Sequence, residues 1–308
     1  MSDIVISEFM DEAAIATVLA GRDVLYDPDL VDKPAALVAA LADCRALLVR
    51  NRTQVRGDLL AAAPRLKVVG RLGVGLDNID APACAARGIA VRPAIGANDL
   101  AVAEYVITAA MTLLRRAWFA SDRVMAGDWP RMALIGRELA GKRLGLIGFG
   151  AIARLTAGKA SALGMSVAAF DPFVAPDDPA WRGIERLDLA GLMGSSDVVS
   201  LHTPLTPQTR RMIDGAALAS MKPDAILINA ARGGVVDEAA LCAALAAGRL
   251  GGAALDVFET EPVTAEAGAL FRGVPNLILT PHVAGVTEES NVRVSAVTAR
   301  AVVEALDA

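Results

Sequence analysis

Residues 143–171 constrain this chain more than any other stretch. Arg143-Leu144-Gly145-Leu146-Ile147 reads as a short buried strand, and Gly148-Phe149-Gly150-Ala151-Ile152-Ala153 as a glycine-rich turn opening a helix to about Leu163. Ser166-Val167-Ala168-Ala169-Phe170 is a second apolar strand that ends at Asp171. Each position has a physical task. Gly148 permits the tight turn, Gly150 lets backbone approach a pyrophosphate, and Ala153 is small enough for close helix–strand packing. Ala151 and Ile152 stand where a helix start offers unpaired N–H groups and a positive dipole end to phosphates. Glycine-rich turns are common by themselves. Set between two strands, with an acidic residue about 20 residues on, this one specifies a dinucleotide site with Asp171 at a ribose. A carboxylate there accepts from both ribose hydroxyls and repels a 2′-phosphate, and Pro172-Phe173 brings no arginine to receive one, so NAD is expected rather than NADP.

The rest of the chain repeats the strand–helix rhythm. Before the central unit, apolar strand candidates occupy 3–6, 23–26, 46–49, 67–70 and 90–91, with helical segments at 12–20, 34–42, 57–62 and 82–87 between them. Five strands with helical crossovers imply a small doubly wound sheet. No glycine fingerprint follows its first three strands, so this sheet is expected to hold something other than a dinucleotide. A long helix over 98–116 leads into the central unit, and 118–135, with Gly127-Asp128-Trp129-Pro130, forms a polar and aromatic arm suited to a subunit contact. After Asp171, strands at 197–201, 225–229, 252–255 and 277–279 continue the pattern, and a helix over 288–306 closes the chain. Domain boundaries are expected near Asn98 and Pro281.

Charge and cysteine usage narrow the partners. Thirty basic against 35 acidic residues give a net charge of −5, which argues against a nucleic-acid or anionic-membrane binder. Cys44, Cys84 and Cys242 are isolated, and none has metal-ligand spacing, so no metal is expected. With no basic-then-apolar leader and no unbroken apolar span, the expectation is a cytoplasmic protein with reduced thiols.

Chemistry-bearing residues gather just after the strands, where open α/β sheets bind their ligands. Arg50-Asn51-Arg52-Thr53, Arg71-Leu72-Gly73-Val74-Gly75 and Arg92 suggest an anionic ligand, because guanidinium matches carboxylate, phosphate and sulfonate geometry. The only histidines are His202 and His282, and an imidazole exchanges protons near neutral pH. Arg232 and Glu261 occupy comparable positions. Together with His282 they supply an anion clamp, an acid/base and a partner for it.

Over nearly its whole length the chain resembles the D-2-hydroxyacid dehydrogenases. The resemblance rests on Gly73-Val74-Gly75-Leu76-Asp77-Asn78-Ile79-Asp80, the 148–153 turn, His202-Thr203-Pro204-Leu205-Thr206, Asn229-Ala230-Ala231-Arg232-Gly233-Gly234, Asp256-Val257-Phe258 through Glu261-Pro262, and Pro281-His282. It implies an α/β fold of two doubly wound domains, a Rossmann dinucleotide-binding domain over 98–281 inserted into a flavodoxin-like substrate domain of 1–97 and 282–308. It implies catalytic roles for three residues. Arg232 would hold the carboxylate and 2-oxo oxygen, His282 would exchange the proton, and Glu261 would hydrogen-bond His282 and favour its protonated form. Val74 and Gly75 resemble a carboxylate-binding backbone turn, and Asp256 the residue that contacts the nicotinamide amide. His202, Thr203, Pro204, Ala230, Ala231 and Gly285 resemble cofactor-lining positions, which takes His202 out of acid/base chemistry. A homodimer through 98–135 is likewise implied.

Within the family, Ile6-Ser7-Glu8-Phe9-Met10-Asp11-Glu12-Ala13-Ala14, Val49-Arg50-Asn51-Arg52-Thr53 and Gly70-Arg71-Leu72-Gly73 resemble the sulfolactate dehydrogenase branch. A substrate with a second anion would explain the extra arginines, and Arg52 and Arg71 are the expected contacts. Phosphoglycerate or glycerate-type acids remain alternatives, although with Ala308 as the last residue the regulatory domains of long phosphoglycerate dehydrogenases are not expected. A dinucleotide-sensing, corepressor-like binding protein is the alternative from another class.

Overall fold

The central strands are mostly apolar runs, as parallel strands must be when helices cover both faces of the sheet. The computed structural model describes residues 2–308 and falls into two units, one of the chain through Asn98 with Val286–Ala308, the other Asp99–Gly285. In the first unit β1 (Ile4–Ile6), β2 (Val24–Tyr26), β3 (Ala46–Val49), β4 (Val68–Arg71) and β5 (Ala90–Pro93) form a parallel sheet in the order β2-β1-β3-β4-β5. Helices α1 (Glu12–Val18), α2 (Pro34–Leu41), α3 (Gly57–Ala61) and α4 (Ala81–Ala86) make the crossovers. This is the flavodoxin-like order, with apolar clusters on both faces of the sheet.

The second unit opens with α5 (Asp99–Arg115) and the short α6 (Ser121–Met125). Its seven strands are β6 (Arg143–Ile147), β7 (Ser166–Phe170), β8 (Glu185–Arg186), β9 (Val198–Leu201), β10 (Ile226–Asn229), β11 (Gly252–Leu255) and β12 (Leu277–Leu279). All are parallel, in the order β12-β11-β10-β9-β6-β7-β8. Helices α7 (Ala151–Ala162), α8 (Leu189–Ser195), α9 (Gly215–Ser220) and α10 (Glu238–Ala246) connect them, and α11 (Glu288–Asp307) returns to the first unit. The order reverses between β6 and β9, and in open α/β sheets a crevice at such a switch point takes the ligand. The glycine turn leaves β6 at that place.

Two features differ from the sequence expectation. β8 is a two-residue, exposed edge strand, too short and polar to carry a periodic signal. The second unit also runs to Gly285, past the expected boundary at 281, because the N–H groups of His282, Val283 and Ala284 all bond to Asp256. The arm over 118–135 contains α6 and a 3-10 turn at Arg131–Leu134, and it exposes Trp118, Met125, Trp129, Met132 and Ile135. Among the described residues, no helix is long and apolar enough to cross a membrane.

Candidate active site

Helix starts in this protein are of two kinds. Asp11, Asp80, Asp188, Asp214 and Asp237 cap α1, α4, α8, α9 and α10, each accepting hydrogen bonds from N–H groups of the first turn. Such a cap stabilises a helix by about 1 kcal/mol. α7 has none: its N-cap is Gly150, and no side chain accepts its first N–H groups, those of Ala151 and Ile152 among them. A helix of 12 residues with an open N-terminus is suited to an anion. Gly148 sits at φ +88°, and a β-carbon there would lie 2.6 Å from the His202 carbonyl oxygen, so the turn packs directly on the segment after β9. That segment holds the Thr203 hydroxyl, a buried oxygen with no hydrogen-bond partner. A dinucleotide fits this cradle by its phosphates at the uncapped helix start and by an acceptor or donor for Thr203.

Asp171 ties the cradle together. One carboxylate oxygen accepts from the Phe149 N–H at 2.7 Å, inside the glycine turn, and the other from the Phe173 N–H at 2.8 Å. Each carboxylate oxygen retains capacity for another donor, so the ribose reading is compatible with this role. Phe149 stacks on Trp181 with ring centroids 5.0 Å apart, which fixes the turn from its inner side. His202 places Nε2 3.0 Å from the Ser200 hydroxyl, and burial pushes its imidazole down to about 4. A ring that stays neutral at physiological pH suits lining better than proton exchange. Pro204 is exposed beside it, while Ala230 and Ala231 follow β10 half-buried.

The catalytic candidates come from the ends of β10, β11 and β12. Asn229, buried at the end of β10, donates to the Arg232 carbonyl at 2.9 Å and accepts from the Ala231 N–H at 3.1 Å, which shapes the turn carrying Arg232. Gly233 cannot carry a side chain, because a β-carbon would lie 1.7 Å from the Phe258 carbonyl oxygen. This close approach brings the Arg232 turn against the segment holding Glu261. Glu261 accepts from the Phe258 N–H at 2.9 Å on one oxygen and lies 2.7 Å from His282 Nδ1 on the other. Burial opposes ionisation of Glu261, but the bonds from His282 and Phe258, with the charges of His282 and Arg232, outweigh it and hold the carboxyl below its ordinary range. An ionised carboxylate only accepts, so Nδ1 of His282 carries the hydrogen and Nε2 is left for a ligand.

His282 occupies the left-handed region at φ +57°, a strained place for a residue with a β-carbon. Asp256, 1% exposed, holds it there. Its backbone carbonyl accepts the His282 N–H at 2.8 Å, and its carboxylate accepts the Val283 and Ala284 N–H groups, each at 2.8 Å, and the Thr280 hydroxyl at 2.6 Å. Asp256, expected to touch the nicotinamide amide, thus also builds the histidine turn, and one lone pair on Oδ2 is left for that contact. Gly285 follows at the end of the unit, half-buried.

In the first unit, Arg71 folds back on its own turn, donating from Nε to the Gly75 carbonyl at 2.8 Å and from Nη1 to the Leu72 carbonyl at 2.7 Å. It thereby shapes the turn, and the Val74 and Gly75 N–H groups take no part in its hydrogen bonds. Successive N–H groups of this kind form an anion nest. Arg52 is exposed and paired with Asp32. The expectation that these two arginines present their guanidinium groups to a second anion therefore meets competing contacts. Arg50 has a different environment. It is half-buried, donates to the neutral Asn291 amide at 2.7 Å, and lies over the Phe9 ring at 5.4 Å. Burial pushes its guanidinium down from its ordinary value, against the attraction of Glu8. The Glu8 carboxylate is occupied by the backbone N–H groups of Arg50, Arg52 and Thr53. Arg50 belongs to the cluster named from the sequence, in which Arg52 and Arg71 were the expected contacts. The one local signal for Arg50 was its place directly after β3.

Among the described residues, no group of three or more His, Cys, Asp or Glu side chains is arranged to hold a metal. A sequence model described as D-isomer specific 2-hydroxyacid dehydrogenase, NAD binding domain, matches residues 107–284. The chain is 56% identical to an (S)-sulfolactate dehydrogenase of Chromohalobacter salexigens over 97% of its own length and 96% of that protein's. It is 42% identical to a D-3-phosphoglycerate dehydrogenase of Mycobacterium tuberculosis over 92% of its length, but spans about half of that relative, 53%. Among solved structures, it resembles D-lactate dehydrogenase from Aquifex aeolicus complexed with NAD and lactic acid, with a TM-score of 0.86 and 30% identity over 99% of this chain and 95% of that one.

Proposed function

The chain belongs to the D-isomer specific 2-hydroxyacid dehydrogenases and is an NAD-dependent oxidoreductase, and from this premise we propose that its substrate is a sulfolactate-like acid. The observation that carries the catalytic reading is the Glu261–His282 pair at 2.7 Å, beside Arg232 on the NAD-binding unit. When bound, NAD supplies the nicotinamide carbon that accepts or returns the hydride. The protein's own part is a proton and a charge. In oxidation, Nε2 of His282 removes the hydroxyl proton as the C2–H bonding pair leaves as hydride and the C2–O bond becomes a carbonyl. In reduction, Nε2–H donates to the oxygen as hydride arrives at C2. Glu261 stabilises the imidazolium formed in the first direction. Arg232 holds the carboxylate and the C2 oxygen, where charge grows during oxidation. The cofactor would be held by the open start of α7 with Gly148 and Gly150, by Asp171 at the ribose, and by Thr203 and Asp256.

Two features of the first unit support an anionic acid. The Val74–Gly75 turn offers backbone N–H groups to a carboxylate, and Arg50 offers a desolvated cation without a carboxylate partner on its guanidinium. An anion there would offset the burial that Arg50 now bears, which makes it a better sulfonate contact than Arg52 or Arg71. The (S) label of the relative's substrate agrees with the D-series. Sulfur outranks oxygen in naming, so replacing a methyl hydrogen of (R)-lactate by sulfonate changes the descriptor without moving a bond at C2.

The test is nicotinamide absorbance with sulfolactate, phosphoglycerate, glycerate and lactate, using NAD and NADP side by side. Sulfolactate with NAD should give the highest kcat/KM. A higher value for phosphoglycerate would replace the sulfonate by a phosphate, a reading the phosphoglycerate dehydrogenase relatives favour. His282→Ala should lower kcat by about 100-fold or more, the usual contribution of a general acid/base. We further propose a cytoplasmic homodimer formed through the arm, supported by exposed Trp129 at 76% and Met132 at 80%. Sedimentation as a monomer at micromolar concentration would contradict it.

A further inference from the structure

A hydrogen-bonded side-chain chain runs beneath the His282 turn, and its far end is a residue that no step above uses. Tyr105, on α5, places its hydroxyl 2.7 Å from Thr280 Oγ1, and Thr280 Oγ1 lies 2.6 Å from Asp256 Oδ1. The direction of the chain follows from proton counting. The Asp256 oxygens accept the Val283 and Ala284 N–H groups, so Thr280 spends its single hydroxyl proton on Oδ1. Its oxygen must then accept, and Tyr105 donates. Burial raises the Tyr105 phenol, outweighing the opposing effect of the Thr280 bond, and the nearby Asp256 carboxylate adds to the rise, so the donor keeps its proton.

This chain matters because of what stands at its near end. The left-handed conformation of His282 persists only while its surroundings over-determine it. Asp256 does that with a backbone carbonyl and both carboxylate oxygens, and the orientation of that carboxylate depends on its contact with Thr280. We propose that Tyr105 is a positioning residue for the reaction, its hydroxyl fixing Thr280 and Asp256 so that the His282 turn presents Nε2 in one place. The proposal rests on the reading of His282 as the proton-exchanging group. Tyr105 touches no reacting atom. Its effect is on the geometry of the proton transfer, and small displacements there lower rates steeply.

The experiment compares Tyr105→Phe, Thr280→Val, Thr280→Ser and the Tyr105→Phe/Thr280→Val pair with wild type and His282→Ala. Each is assayed with sulfolactate, or with lactate where sulfolactate does not turn over. Tyr105→Phe should lower kcat about five-fold, the loss of one ordinary hydrogen bond converted to a rate. The KM for NAD should stay within about two-fold, because the glycine turn is untouched. The isotope effect from deuterium at C2 should rise as the chemical step slows. Thr280→Ser should keep most activity, and the double variant should be no slower than Thr280→Val, since both act through one chain. Nitrogen-15 resonances of the imidazoles provide a readout independent of turnover. With only two histidines in the chain, the His282 signals should move in Tyr105→Phe while those of His202 stay. A purely structural tyrosine would change the melting temperature but neither the isotope effect nor the His282 signals. If His282→Ala abolishes activity while Tyr105→Phe matches wild type in kcat, isotope effect and His282 signals, the proposal is overturned and the His282 reading stands. If His282→Ala keeps full activity, both fall.

Discussion

Replacing Asp256 with Asn keeps the size of the side chain and removes one acceptor. The native carboxylate receives three donors while 1% exposed: the Thr280 hydroxyl and the Val283 N–H on Oδ1, and the Ala284 N–H on Oδ2. An asparagine has one carbonyl oxygen and an NH2 group, so two placements exist. With the oxygen at the Oδ1 position, the NH2 faces the Ala284 N–H, a buried donor without an acceptor. With the amide flipped, Ala284 is satisfied and Thr280 can rotate to accept, but the Val283 N–H faces the NH2. Either way one N–H group is stranded, at about 1–3 kcal/mol, and the surviving bonds lose their charge assistance. The total is about 2–4 kcal/mol, which corresponds to a fall of roughly 5–15 °C in Tm for a unit of this size. The same loss frees the left-handed His282, so kcat should drop by about 100-fold, the order expected for misplacement of an acid/base by an ångström. Differential scanning calorimetry without ligand gives the first number and initial rates give the second. A variant with unchanged Tm and kcat would refute the claim that Asp256 builds the histidine turn. A variant with normal Tm but a raised KM for NAD alone would assign Asp256 to the nicotinamide only.

Other perturbations test separate parts of the site. Asp171→Ala removes both the proposed ribose acceptor and the Phe149 N–H partner, so the KM for NAD should rise at least ten-fold and the preference over NADP should shrink. An unchanged KM for both cofactors would remove Asp171 from recognition. Arg50→Ala should reduce kcat/KM for sulfolactate at least ten-fold more than for lactate, whereas Arg52→Ala, which frees only a surface pair with Asp32, should spare the ratio. The opposite ranking would return the second anion to Arg52. His202, pushed down from 6.5 to about 4 by burial, takes up its proton in the unfolded chain before it does so in the folded one. Unfolding therefore binds protons in this window, so stability should fall as pH drops from about 6.5 towards 4.5, still above the ordinary carboxylate range. His202→Gln should flatten that part of the Tm profile, and an identical slope in the variant would show that another group is responsible.

Much of the fold was legible in the chain because its signals are local. A buried parallel strand is a short apolar run, a helix start is an aspartate before an alanine-rich segment, and a pyrophosphate turn is a glycine pattern between two strands. The catalytic candidates were legible for a related reason: each follows a strand end, and the ordered matches around them are numerous. β8 was missed because two polar residues at a sheet edge have no period to read. The end of the second unit was displaced to Gly285 because its limit is set by bonds to Asp256, more than two dozen residues upstream.

By itself, then, the sequence determined two doubly wound sheets and a NAD-type turn ending at Asp171, and it named Arg232, Glu261 and His282 as candidates. Tertiary structure alone decided which arginine is desolvated, since Arg50 and Arg52 lie two residues apart on one loop and differ in burial and in partners, Asn291 and Asp32. It also decided that Arg71 is spent on its own turn, and that Tyr105, 175 residues before Thr280, joins the hydrogen bonds that hold the His282 turn. Strand and helix patterns follow from neighbouring residues. The partner of a polar side chain is fixed only when distant segments close around it and remove the water that would otherwise serve as well.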